Sequence, residues 1–444
     1  MLRGIWLVAH FATIVLHRTS EDWLAETIAG SFDSMVEAPT KRCPRHARPK
    51  PADTKSVGRF VSLEGLWAEP FRLFFFVATL AGFVGVAVWP VVLWGWTDNF
   101  PNVIHARLMV MGFFGGFVFG FLGTSIPRLL ESRPLRMWET LPMVLLHAGL
   151  TTCYAFGAIH WGDGLMIINV LLLGCSLSVR VYNRKSSPPS AFMMILPGFG
   201  CLVIGLALAF QGRSEPLTAE AELLFRLLTY HGFVLLSVLG AGGFLLPRFL
   251  GTGVRQPSKS SRWWLARAAV VVSVGVAIAL TYGFDAKERS QLGGTIRAIL
   301  MLAYLGWQIP LERLRFSSAG IQWLLLCGLL CLPLGILTAA WMPTLRVSLG
   351  HVELVGGFSM ITLGVATRVV FGHSGKRERL ERFHLWLTIA GILIVLGLLS
   401  RIAGDFWPRL MLSHYVYGAL CWMAGLMIWA VCVLPQLLRP DPEG

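Results

Sequence analysis

HARLMVMGFFGGFVFGFLGTSIPR (residues 105–128), HGFVLLSVLGAGGFLLPR (231–248) and HVELVGGFSMITLGVATR (351–368) decide the reading of this chain. Each opens on a histidine, continues through an apolar stretch and closes on an arginine. The arginines, Arg128, Arg248 and Arg368, are spaced 120 residues apart twice over. One helix repeated three times, with histidine at the same end, puts His105, His231 and His351 at a common depth. That pattern points to a site built around the repeat axis. Neutral imidazoles in such a place are the donors that haem iron or copper requires.

The composition supports a membrane setting. The chain has 444 residues, 55% of them hydrophobic and only 14% charged, with a mean hydropathy of +0.65. Soluble domains carry about 25% charged residues. The net charge of +14 does not imply a nucleic-acid partner, because the basic residues sit in short clusters between apolar runs, as the positive-inside rule requires. Cysteines such as Cys327 and Cys331 lie within apolar segments. They read as small packing residues rather than a disulfide framework.

Three regions follow. Residues 1–68 hold Pro39, Pro44, Pro49 and Pro51 among Lys41, Arg42, Arg45 and Arg48, a composition expected to stay a disordered basic tail. Residues 69–437 form the membrane domain, and 438–444 a short C-terminal tail. The domain divides into twelve apolar spans, from 72–95 to 411–434, each of about 20 residues. Basic clusters follow every second span, which places both termini in the cytoplasm. The expected fold is therefore an all-α polytopic membrane protein, with twelve transmembrane helices arranged as three four-helix pseudo-repeats. The lipid bilayer is its first partner.

The histidines fall on the second, sixth and tenth spans. On the second, Met109, Gly112 and Gly116 share the face of His105 to within about 40°. A face without side chains suits a flat macrocycle, and it equally suits close helix packing. His147, His160 and His414 are further ligand candidates, whereas His373 and His384 lie at the opposite end. Arg107 and Glu353 each stand two positions after a repeat histidine; the pattern suits a pair between them near the outer face, and equally suits each snorkelling separately to the headgroups. Arg128, Arg248 and Arg368 read as basic flanks of their spans.

These segments resemble the NnrS family of twelve-helix membrane proteins over about residues 69–437. EPFRLFFF (69–76), the 105–128 segment and HVELVGGFSMITLGVATRVVFGHSGK (351–376) carry the resemblance. It implies a bacterial inner-membrane protein that binds haem and copper and acts in defence against nitric oxide. The resemblance aligns His105 and Met109 with the family's first histidine and methionine. Together with the repeat positions this makes His105, His231 and His351 the candidate haem or metal ligands, with Met109, Gly112 and Gly116 on the face that a cofactor or a neighbouring helix would approach. The family's second-span pattern, His-x-His-Glu-Met, reads His-Ala-Arg-Leu-Met here. Arg107 therefore stands where a histidine is usual, and Glu353 where the family has an apolar residue. A guanidinium in place of a nitrogen donor weakens cation binding, so copper is the cofactor most affected. The chain is also loosely similar to the core subunit of haem–copper oxidases, but it lacks the adjacent His-His pair and the histidine–tyrosine segment of their copper site. Two other classes compete. A multi-pass transporter or metal-handling permease suits parallel repeats, and an assembly protein suits the glycine ladder.

Overall fold

The computed structural model describes residues 60–96, 100–253, 261–316, 320–376 and 384–441. Residues 1–59, on which most of the tail expectation falls, lie outside the described set. In a hydrocarbon medium each backbone N–H and C=O must find its partner within the protein. Apolar runs of this length therefore fold as helices. After the short α1 (Leu63–Ala68) come α2 (Phe71–Leu93), α3 (Asn102–Leu129), α4 (Met137–Ala155), α5 (Ile159–Tyr182) and α6 (Ser190–Ser214). The order continues with α7 (Ala219–Phe249), α8 (Ser261–Ala286), α9 (Ser290–Gln308), α10 (Gly320–Trp341), α11 (Pro343–His373), α12 (Leu385–Phe406) and α13 (Pro408–Leu438).

Ten of these helices are long and apolar enough to cross a membrane. The 19-residue helices α4 and α9 are not among the ten. Each carries a buried charge within its length, and each charge is paired. Glu139 of α4 accepts from Arg180 of α5, and Arg297 of α9 meets Asp285 of α8 at 3.0 Å.

The centre of the bundle is built from the three histidine helices. In α3, α7 and α11, 83%, 67% and 67% of the apolar window is buried, against 22–50% in the other seven spans. They touch one another in turn. Arg107 of α3 reaches Tyr230 of α7, His231 of α7 reaches Glu353 of α11, and Phe358 of α11 packs on Phe114 of α3. Each of these helices also contains one turn of π-helix, at Leu108–Phe114, Leu227–Gly232 and Val352–Ser359. An i→i+5 turn inserts an extra residue and offsets the carbonyls from their usual donors. Such turns concentrate at functional sites.

α3 and α7 also end alike. The backbone turns left-handed at Glu131 (φ 50°) and at Gly251 (φ 70°). The following hydroxyls, of Ser132 and Thr252, return to the carbonyls of Pro127 and Pro247. These equivalent positions are again 120 residues apart. Glu131 adopts a conformation that favours glycine, so the exit turn is set by the architecture and not by local preference.

The tail ends earlier than its composition suggests. Ser62 caps α1 by accepting from Gly65 N. Val61 N donates to Leu438 O, and Thr140 of α4 donates to Trp67 O. Residues 60–68 thus belong to the folded body, because α4 and the chain's C-terminal end supply partners that composition does not reveal.

Candidate functional site

His105, His231 and His351 gather at one end of the central helices. His105 lies just before the π turn of α3, His231 lies inside that of α7, and His351 immediately precedes that of α11. The rings are half-buried. A Cβ on Gly350, next to His351, would lie 3.7 Å from Cε1 of His231, so α7 and α11 bring these two histidines to the same neighbourhood. His105 packs edge-on against Trp89 of α2.

Each of the three rings is anchored through Nδ1. Nδ1 of His105 donates to Gly85 O at 2.8 Å, and Nδ1 of His351 to Val347 O at 2.6 Å. Nδ1 of His231 meets Oε2 of Glu353 at 2.8 Å. A carbonyl can only accept, so each Nδ1 bound to one carries the proton. In the neutral ring that leaves Nε2 with its lone pair. Ligating histidines characteristically anchor their second nitrogen on a carbonyl or carboxylate in this manner.

His147 is different. It is fully buried, and its Nε2 donates to Gly112 O at 2.8 Å, within the π turn of α3. Phe74 and Phe119 pack against its ring. It satisfies a carbonyl that the π turn offsets from its helical donor. His160 is exposed, and His414 is hydrogen-bonded to Ser400.

The glycine face of α3 is filled by protein. A Cβ on Gly112 would lie 2.9 Å from Ala81 Cβ. One on Gly116 would lie 2.7 Å from both Ala78 Cβ and His147 Nε2, and one on Gly120 would lie 2.7 Å from Phe74 Cβ. The ladder lets α2 lie directly against α3. Of the two uses open to this face, helix contact is the one observed at Gly112 and Gly116. Met109 packs toward α2 as well, with its sulfur beside Gly85.

The pairing of Arg107 with Glu353 does not occur. Arg107 is 2% exposed and donates from Nη2 to Oδ2 of Asp163 at 2.9 Å. Its Nε stands 2.8 Å from Oδ1 of Asp163, outside hydrogen-bond geometry. The guanidinium also lies over the rings of Phe225 and Tyr230, and Tyr154 donates to the same carboxylate at 2.9 Å. Glu353 is taken by His231. A cavity of about 280 Å³ opens beside this network, with Arg107, Asp163, His160, Glu222, Arg226 and Tyr230 among its walls. Asp163 was hidden in the sequence because it reads as a loop residue next to Gly162.

At the opposite end, Arg128 is more than a basic flank. It pairs with Glu69 and Asp441, and Nδ1 of His373 bonds the same two carboxylates at 2.7 and 3.0 Å. Arg72 joins through Glu69 and donates to the carbonyls of Leu437 and Arg439. Burial works against ionisation of Glu69, yet the hydrogen bond to His373 and the charges of Arg72 and Arg128 hold its carboxyl below the ordinary range. Among the described residues, Glu69, His373 and Asp441 form the set whose donor atoms lie within 4.8 Å of one another. The Arg128 guanidinium already occupies those oxygens, and two arginines repel a divalent cation. The set therefore reads as an ion-pair node that ties α2, α3, α11 and the C-terminal segment together.

No curated protein matches the chain. The NnrS protein family matches residues 65–441, a stretch that includes the Glu69–Arg72 segment, all three histidine helices and Asp441. The chain belongs to the NnrS family.

Proposed function

We propose that this chain is a haem-binding protein of the bacterial inner membrane that acts in the response to nitric oxide. One observation carries the proposal: three histidines on the three most central helices, each anchored at Nδ1 and each beside a π turn. The residues present fit a haem. One or two of His105, His231 and His351 would hold it through Nε2, the nitrogen that neutral histidine offers to iron, with the remaining ring beside it. A haem bound there supplies an iron that takes up nitric oxide, an apolar diatomic that reaches an intramembrane site through the lipid. The chain's own contribution is to orient the imidazoles and fix their tautomers.

Copper fits less well. The nitrogen donor usual at position 107 is replaced by a guanidinium committed to Asp163, and the three histidines do not form a close donor set among the described residues.

We further infer twelve spans in three four-helix units, with α4 and α9 completing the count. Charge pairing of Glu139 and Arg297 offsets the cost of carrying them into the bilayer. Support for the repeat comes from the matched π turns and from the matched exits at Glu131 and Gly251. Both termini lie on the cytoplasmic side in this arrangement. A permease is the second reading, and the cavity beside Arg107 favours it.

Complementation separates the two readings. Cells lacking the gene are expected to regain growth under a nitric oxide donor with the wild-type chain but not with His231→Ala at equal membrane abundance. Full rescue by His105→Ala, His231→Ala and His351→Ala alike would reject the haem reading and leave the permease.

A further inference from the structure

The three histidines are held by unequal partners. His105 and His351 donate to main-chain carbonyls, which are neutral. His231 alone of the three meets an ionisable group, Oε2 of Glu353 at 2.8 Å. Glu353 is 4% exposed, and His231 is its partner in the described ion pairs, with no Lys or Arg beside it there. Its second oxygen, Oε1, lacks a hydrogen-bond partner among the described residues, as does the buried hydroxyl of Tyr282 nearby. A carboxyl in such a place is expensive, and it is not part of the pattern that the family resemblance carries.

We propose that Glu353 is a positioning residue that makes His231 the strongest donor of the three. This rests on the haem reading above. The carboxylate accepts the Nδ1 proton, fixes the ring with its lone pair on Nε2 and increases the electron density at that nitrogen. A carboxylate partner raises ligand basicity more than a carbonyl does, and losing such a partner typically costs about 10- to 100-fold in affinity. Two local features deliver the carboxylate to the ring. The π turn Val352–Ser359 changes the phase of α11. Gly335 of α10, having no side chain, lets the Glu353 backbone lie directly against it.

The test uses the full chain in detergent, with Glu353→Gln and Glu353→Ala. In the haem-free protein labelled with ¹⁵N-histidine, the resonance lost in His231→Gln is expected to report protonation at Nδ1. In Glu353→Ala that same resonance is expected to become a tautomer mixture. Titration with ferric haem is then expected to show about 10- to 100-fold weaker binding for Glu353→Ala. Glu353→Gln, which keeps a neutral acceptor, is expected to fall between the two and to show a more positive reduction potential than wild type. An Nε2-protonated His231 in the wild type would overturn the proposal, and so would equal haem affinity and potential in all three proteins. If the wild type takes up no haem, the haem reading fails. The tautomer measurement then still decides whether Glu353 sets the state of His231.

Discussion

Arg107→Ala is expected to destabilise the folded bundle by about 3–5 kcal/mol, the range for breaking one side of a buried ion pair. Asp163 is 1% exposed and has Tyr154 as its other hydrogen-bond donor. Without the guanidinium its charge is left uncompensated in an apolar surround. Arg107 also contributes stacking over Phe225 and Tyr230, which Lys would replace poorly. Thermal unfolding in detergent measures the effect. Adding Asp163→Ala to Arg107→Ala is expected to restore part of the loss, since the stranded charge is gone. Adding Glu353→Ala is expected to be additive to within about 0.3–0.5 kcal/mol, as for residues that share no partner. A wild-type midpoint for Arg107→Ala, or strong coupling to Glu353, would contradict this account of the charges.

Gly335→Val is expected to be the most damaging of the glycine substitutions. A Cβ at Gly335 would fall on the backbone nitrogen of Glu353, 2.8 Å from its Cβ and 2.9 Å from its Cα. Overpacking of side chains costs about 1–3 kcal/mol. Here the obstacle is main chain in a π turn, which cannot swing aside, so the loss is expected at or above the top of that range. The displacement also carries Glu353 away from His231. Haem retention is therefore expected to fall together with the unfolding midpoint. Gly306→Ala is the control: it lies in α9 with open space where its Cβ would go. It is expected to be neutral or slightly stabilising, because Ala is the better helix former by about 0.5–1 kcal/mol. Equal midpoints for Gly335→Val and Gly306→Ala would show that the α10–α11 contact does not matter.

Much of this architecture was legible in the sequence. Long apolar runs announce helices to within a few residues, and the 120-residue spacing of Arg128, Arg248 and Arg368 singles out α3, α7 and α11, the three most buried helices. Hydropathy does not report which face a polar residue turns to. A pair between Arg107 and Glu353 suits their matching positions after His105 and His351. The π turns that follow His105 and His351, and the one that contains His231, shift the helical phase locally, and nothing in residue type marks an extra residue in a turn. Arg107 accordingly reaches Asp163, which composition assigns to a loop, while Glu353 reaches His231. The glycine ladder posed another ambiguity. Gly112 and Gly116 could have faced a macrocycle or a helix, and only the positions of Ala78 and Ala81 on α2 distinguish the two. The node at Glu69, Arg128, His373 and Asp441 joins residues from both ends of the chain, where spacing carries no information.

The most direct test of the central claim is the optical spectrum of the detergent-purified protein, oxidised and dithionite-reduced, beside His105→Ala, His231→Ala and His351→Ala. A Soret band that shifts on reduction is expected, with the largest loss in His231→Ala, whose ring has the carboxylate partner. A folded, colourless wild-type protein, or an identical haem spectrum in all three variants, would contradict the claim.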